Sequence, residues 1–260
     1  MRVLALHQDV LVAVSSIWQT TCTAVRGGQE GFVIDSPVYP AELEALPGLL
    51  ERAGFPVSGL LATHGDWDHL LGRVAFPELA LGCGESTAAR LDALPGQAAR
   101  ELREFDEEQY VDGRPPLALA GIQTLPVPGR LALGSEHELE LHPTGGHTAD
   151  GTAFVIGWAG VLVCGDYLSP VEIPSISDDG SSDAYEATLE RLAPLVERVD
   201  TVVPGHGAPL TRERALAVWH EDVEYLHALT RDGARARLPA ARSSPAQQRT
   251  HTDNVKRVVR

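Results

Sequence analysis

Five short apolar runs in this chain stop at turns that carry histidine or aspartate. Phe32 to Ile34 ends at Asp35, and Val57 to Ala62 ends at Thr63-His64-Gly65-Asp66-Trp67-Asp68-His69. Glu138 to Leu141 precedes Gly145-Gly146-His147-Thr148, Val161 to Cys164 leads into Gly165-Asp166, and Thr201 to Val203 leads into Pro204-Gly205-His206-Gly207. Runs this short and this apolar read as buried strands. Polar residues at strand ends, on turns held by a rigid scaffold, are where such a chain puts its chemistry. Polar residues thus cluster where strands end.

The periodicity between these runs fills in the rest. Strands are expected over 2–6, 10–15, 21–26 and 31–34, a helix over 41–53, a strand over 57–62 and a short helix after His69. A strand at 79–81 and helices over 85–94 and 97–110 follow, the last with an acidic, solvated face. After Pro115-Pro116 come strand signals at 121–127, 138–141, 153–158 and 161–164, a helix at 184–198, a strand at 201–203 and a long helix over 211–230. Strand meanders followed by helices, twice over, predict two sheets packed face to face with helices outside. A chain of 260 residues, 43% hydrophobic, can bury such a core within one domain. That domain is assigned to residues 1–230, and 231–260 to a basic C-terminal segment: a flexible joint at 243–248 and a terminal helix packed on the same domain.

The formal net charge is -15, although residues 231–260 carry eight bases against two acids. So acidic a body excludes a general nucleic-acid or anionic-membrane binder, which needs clustered positive charge. The basic segment could lie across the acidic body or attract an anionic ligand, and the first is expected. Three cysteines, Cys22, Cys83 and Cys164, form no paired motif, so a disulfide framework and an all-thiolate zinc knuckle are both excluded and a reducing, cytoplasmic setting is expected. No apolar stretch is long enough to span a membrane, and His7, Gln8 and Asp9 interrupt the N-terminal apolar run before it makes a signal peptide. The expected partner is a small-molecule substrate, and nothing in the sequence fixes an oligomeric state.

Histidine and carboxylate without thiolate is the ligand set of a hydrolytic zinc, manganese or iron centre. An extended segment would send His64, Asp66 and Asp68 to one side and His69 elsewhere, letting one short stretch serve two ions. The competing reading makes Asp66 and Asp68 helix caps, which leaves the remote histidine turns unexplained. Asp35 either hydrogen-bonds a ligand histidine from behind or forms a turn ahead of Ser36-Pro37. Tyr167 and Tyr185 are expected to be packed side chains, Trp67 and Trp158 an apolar wall of site or core, and Cys164 an inert buried thiol. His251 is expected on the surface of the terminal helix, and His7, His137, His142, His220 and His227 are structural.

HGDWDH, GGHT, VLVCGD and VPGHG, in this order, resemble the signature of the metallo-β-lactamase-fold superfamily, HxHxDH followed by a Gly-His-Thr turn, an aspartate after an apolar strand and a late Gly-His turn. The resemblance implies an α+β fold, a four-layer αβ/βα sandwich with a two-metal site along one edge. The late PGHG and the chain length look most like the glyoxalase II and lactonase-like hydrolases. It implies His64, Asp66 and His147 on metal one, Asp68, His69 and His206 on metal two, and Asp166 bridging, with Asp68 also the catalytic group that orients the attacking water. The cofactors implied are two divalent ions, zinc first, with iron or manganese as alternatives. Asp66 departs from the pattern, since the family usually has histidine there. Three carboxylates and a hydroxide cancel two divalent ions, whereas two carboxylates leave +1, so the bridging water is acidified less and the site leans toward iron or manganese. Asp66 either reaches its ion or is too short and leaves metal one weak. The function implied is metal-dependent hydrolysis of a small ester, thioester or lactone. Two other readings stay open: a diiron oxidoreductase, since diiron relatives carry glutamate at that place, and a non-catalytic ligand-binding protein on a weakened site.

Overall fold

The computed structural model describes residues 1–258; Arg260, counted above in the basic segment, lies outside the described residues. The first sheet holds β1 (Arg2–His7), β2 (Val10–Val14), β3 (Thr21–Gly27), β4 (Glu30–Asp35), β5 (Gly59–Leu61), β6 (Leu81–Gly84) and β7 (Gln123–Leu125), side by side in chain order. β1 to β4 pair antiparallel, and β4 to β7 pair parallel. The second sheet holds β8 (Gly129–Leu133), β9 (His137–Pro143), β10 (Thr152–Ile156), β11 (Val161–Val163), β12 (Thr201–Val203) and β13 (Leu210–Thr211), also in chain order, with β11 and β12 parallel. The helices are α1 (Pro40–Arg52), α2 (Gly72–Ala75), α3 (Glu85–Ala93), α4 (Gln97–Glu108), α5 (Ser182–Arg198), α6 (Arg212–Asp232) and α7 (Pro245–Val258).

The layering follows from strand alternation. Ile34 and Leu61 point into the seam between the sheets, where they meet Leu139, Leu141, Phe154, Val161 and Val203. Their neighbours Val33 and Leu60 point the other way, onto Leu43, Leu46 and Leu50 of α1 and Leu102 of α4. In the second sheet Leu162 and Val202 face Leu189, Leu192, Leu226 and Leu229 of α5 and α6. Sheets covered on both faces need apolar residues at every position, which is why these strands read as continuous runs. The result is an α/β/β/α sandwich, as the sequence reading expected. Its helices start where the sequence allows: Ser181 accepts from the Ala184 N–H before α5, and Thr211 from the Arg214 N–H before α6.

Several boundaries differ. The strand expected at 57–62 is only β5, because Pro56 and Ser58 lead into it, and the strand expected at 79–81 lies at Leu81–Gly84. The run 121–127 holds only β7, since Pro126 and Pro128 cannot donate to a ladder, and β8 begins beyond them. The flexible joint expected at 243–248 is mostly helix: Pro245 takes the first position of α7, and Ser244 accepts from the Gln247 and Gln248 amides.

The basic segment is packed against the body. Arg242 is fully buried, paired with Asp222 and Glu221, and donates to the carbonyls of Ser169 and Glu172. Gln247 accepts from the Ile173 amide, while Asn254 accepts from the Ile176 amide and donates to the Pro174 carbonyl. α7 thereby pins the irregular strap that follows Asp166 across one edge of the sandwich. Among the described residues, no helix is long and apolar enough to cross a membrane.

Candidate metal centre

The histidine turns meet at the edge under that strap. The Thr63 carbonyl accepts from the Thr152 amide, the Gly165 carbonyl from the Gly205 amide, and the Gly205 carbonyl from the Thr21 amide. These backbone bonds tie the loop after β5 to the start of β10, and the loop after β12 to both the loop after β11 and the start of β3. A Cβ at Gly205 would lie 2.0 Å from Asp166 Oδ1, so only glycine lets that loop approach so closely.

Asp66 ends the extended stretch, and Trp67–His69 turns into a short 3-10 helix. The expectation that Asp68 sits on one side with His64 while His69 points away is therefore corrected: the tight turn carries Asp68 and His69 to the same place. Asp66 makes no side-chain cap bond, and α2 is preceded by Leu71, so neither aspartate caps a helix.

Each histidine is oriented by an oxygen on its outer nitrogen. His69 Nδ1 lies 3.1 Å from Asp35 Oδ2, His147 Nδ1 2.7 Å from the Ser175 carbonyl, and His206 Nδ1 3.2 Å from the Trp18 carbonyl. His64 Nδ1 lies 3.1 Å from Thr63 Oγ1, whose hydroxyl donates to Asp35. With a proton on each Nδ1, the four Nε2 lone pairs point inward. Asp35 adopts a left-handed backbone (φ 58°) to accept from His69 and from the amide and hydroxyl of Thr63 together.

The inward atoms form two clusters that share Asp166. In the first, Asp66 Oδ2 is 3.6 Å from His64 Nε2 and 3.4 Å from His147 Nε2, and Asp166 Oδ2 is 3.4 Å from His147 Nε2. In the second, Asp68 Oδ2 is 3.6 Å from His69 Nε2 and 3.5 Å from His206 Nε2, while Asp166 lies 3.2 Å from both imidazoles. Ligands about 2.1 Å from a tetrahedral ion stand about 3.4 Å apart. Asp66 is thus long enough to close the first cluster. His64, His69 and His147 Nε2 and Asp166 Oδ1 are buried with no hydrogen-bond partner, which is the state of donor atoms meant for an ion.

The electrostatics match this crowding. Burial lowers the pKa of His147, but hydrogen bonding to Asp66 and the charge of Asp166 outweigh it and lift it to about 9. Burial is likewise overcome at His206, where Asp166 and Glu172 lift it to about 10, and at His69, where Asp68, Asp166 and Asp35 raise it well above its ordinary value. Burial alone would raise Asp66 and Asp166, yet the facing histidines hold both well below the carboxylate range.

Sequence reasoning missed four side chains here. Arg90, on α3, donates from Nη1 to Asp66 Oδ1 (2.8 Å) and Asp150 Oδ1 (3.1 Å), and its Nε faces Asp179 Oδ2 (3.0 Å). Asp150 is buried and also accepts from the Gly65 amide. Glu172 offers a carboxylate oxygen within 4.8 Å of ligand atoms of Asp166 and His206. Helical spacing marked α3 but not which residue faces the edge, and nothing local distinguishes Glu172 from a surface acid. Trp18 and Gln19, both left-handed (φ 50° and 54°), turn the loop that offers its carbonyl to His206, and Trp18 packs on Trp67 and Phe105.

Other candidates stand elsewhere. Tyr167 is buried, accepting from the His147 amide and donating to the Thr144 carbonyl, and Tyr185 is buried, donating to the Asp166 carbonyl. Trp158 stacks on His137 at the edge of the seam between the sheets. His251 is half-buried against the Tyr225 hydroxyl rather than on the surface. Cys164 is buried in its strand end.

A family model described as the metallo-beta-lactamase superfamily matches residues 16–206. Among solved structures, a metallo-beta-lactamase family protein from Thermus thermophilus is 19% identical with a TM-score of 0.65, over 87% of this chain and 83% of that one. A metallo-beta-lactamase from Pontibacter korlensis is 17% identical, TM-score 0.60, over 84% and 98%. A stereoselective inverting sec-alkylsulfatase from Pseudomonas sp. is 13% identical, TM-score 0.69, over 88% of this chain and 42% of that one. At these identities the likeness is one of fold. A search of curated proteins finds no match. With the family match running from the loop before β3 to His206, and with the same sandwich in each neighbour, the chain belongs to the metallo-beta-lactamase superfamily, whose members are metallo-hydrolases.

Proposed function

We propose that this chain is a two-metal hydrolase that cleaves a small ester, thioester or lactone. The observation that carries it is the set of inward Nε2 atoms, each with its outer nitrogen fixed by an acceptor and three of them buried without a partner. His64, Asp66 and His147 would hold one ion, Asp68, His69 and His206 the other, with Asp166 between them. When bound, the ions acidify a water and polarise the bond to be broken. Asp68 turns Oδ2 toward His69 and His206, leaving Oδ1 to orient that water and take its proton. Asp35 and Ser175 keep the imidazoles in the tautomer that presents Nε2.

Zinc is the first expectation for the ions, and the carboxylate at Asp66 favours iron or manganese more than the usual set would. The small-substrate reading is supported by the acidic body, which disfavours polyanions, and by the glyoxalase II-like and lactonase-like late PGHG turn. Free, buried Cys22, Cys83 and Cys164 support a reducing, cytoplasmic location.

Metal content by mass spectrometry, with aryl ester and thioester turnover on the same sample, tests the reading. About two equivalents of metal with turnover lost in Asp68→Asn is the expected result. Less than about half an equivalent, not recovered on adding zinc, iron or manganese, sinks it. The carboxylate at Asp66 also supports the diiron reading, which iron with visible absorption and oxygen consumption without hydrolysis would favour.

A further inference from the structure

The charges around this centre constrain what it takes. Resting on the hydrolase reading, we infer that the site admits neutral or cationic substrates and rejects anionic ones, with Glu172 and the carboxylates gathered on Arg90 as the determinants. Among the described residues, Arg90 is the one arginine or lysine ion-paired with any of His64, Asp66, Asp68, His69, His147, Asp166 and His206. A substrate carboxylate, sulfate or phosphate arriving at metal one would look to Arg90 for its counter-charge. That guanidinium is already committed: Nη1 serves Asp66 and Asp150, and Nε serves Asp179. Arg90 with Asp150 and Asp179 alone carries one net negative charge.

On the other side, Glu172 stands beside Asp166 and His206 and is paired with no arginine or lysine among the described residues. Its position is built. Its amide donates to Ser169 Oγ (3.0 Å), and its carbonyl accepts from Arg242 Nη1 (2.8 Å). Arg242 lends no charge to the site, because its guanidinium is neutralised by Asp222 and Glu221. Two divalent ions bring four positive charges, and Asp66, Asp68, Asp166 and Glu172 cancel them. Adding the Arg90 group leaves the site negative before any substrate enters. One charge about 6 Å from another, at an effective dielectric of about 20, alters binding by about a hundredfold, and by at least about tenfold with screening.

The test uses metal-loaded protein and aryl hexanoates matched in length, ending in methyl, trimethylammonium or carboxylate. The expected kcat/KM for the carboxylate ester is at least about tenfold below the methyl ester, with the trimethylammonium ester equal to or above it. Glu172→Gln should narrow the carboxylate-to-methyl gap by about tenfold while metal content stays at two. Calorimetric binding of hexanohydroxamate against its carboxylate-ended analogue reads the same preference without turnover. Equal or better binding of the anionic members, or a gap unmoved by Glu172→Gln, overturns the inference. Hydroxamate discrimination in a protein that hydrolyses none of the esters would instead remove the hydrolase reading and leave the charge selection standing.

Discussion

Stripped of metal with a chelator, this protein should take metal back only by expelling protons. The Asp66 and Asp166 carboxylates lift His147 to about 9 and His206 to about 10, against the burial that would lower both. At pH 7 the protonated form of His147 then outweighs the neutral form by about a hundredfold, and that of His206 by about a thousandfold. At about 1.4 kcal/mol per pKa unit, clearing the two nitrogens costs about 3 and about 4 kcal/mol. His69, raised by Asp68, Asp166 and Asp35, adds a third proton. A raised histidine is protonated below its folded pKa, so metal affinity climbs with pH up to about pH 9, by about tenfold per unit for the ion on His147 and by about ten- to a hundredfold per unit for the ion on His69 and His206. The carboxylates do not offset this, because Asp66 and Asp166 are held below the usual range and stay ionised throughout. Zinc titration calorimetry at pH 7 in two buffers of different ionisation enthalpy gives the proton count directly. Two to three protons per protein are expected. Fewer than one, or an affinity flat from pH 6.5 to 8.5, would refute the linkage and with it the inward-facing, carboxylate-paired geometry of the histidines.

Arg90→Met should lower metal affinity by about 10- to 100-fold in chelator competition, the usual cost of losing a group that orients a ligand, since Asp66 loses the hydrogen bond on Oδ1 that leaves Oδ2 facing the imidazoles. Asp66→His should raise zinc affinity and shift the pH optimum down, and in that background Arg90→Met should matter less; unchanged metal stoichiometry and pH profile would place Asp66 outside the ligand set. Arg242→Met strands the buried Asp222 carboxylate, so denaturant melts should show a loss of about 3–5 kcal/mol.

The sandwich was legible because its strands are buried on both faces. Val33-Ile34, Leu60-Leu61 and Val202-Val203 leave no polar position for the alternation of a half-exposed sheet, and such runs between turn residues leave few other readings. Edge strands carry less signal: β8, with exposed Arg130 and Ala132, and the two-residue β13 were not expected at all. The histidine turns were legible because each follows a strand and bears a side chain with no role in packing. Ser243 to Gln248 read as a joint because its polar residues and proline have turn chemistry. Proline at a first helical position behind a serine has the same composition, and only the bonds of Gln247 and Asn254 to the strap decide between the two.

What lies behind Asp66 was illegible for a different reason. Asp66, Arg90, Asp150 and Asp179 come from four separate segments, and none has a local pattern that differs from a solvated charge. Charge counting along the sequence treats Asp66 as one extra negative unit in the ligand set, and a nearby arginine as its natural remedy. The geometry separates those two ideas. Arg90 does reach Asp66, but Asp150 and Asp179 pair with the same guanidinium, so the pair fixes direction without relieving charge. A histidine at 66 would be neutral and would need a carbonyl or carboxylate behind it, as His69 has Asp35 and His147 has Ser175. An aspartate needs a donor behind it, and α3 supplies one. Asp66 with Arg90 is therefore the same device as the family's histidine with its acceptor, with every polarity reversed, and the carboxylates around Arg90 keep the reversal from making the site any more welcoming to anions.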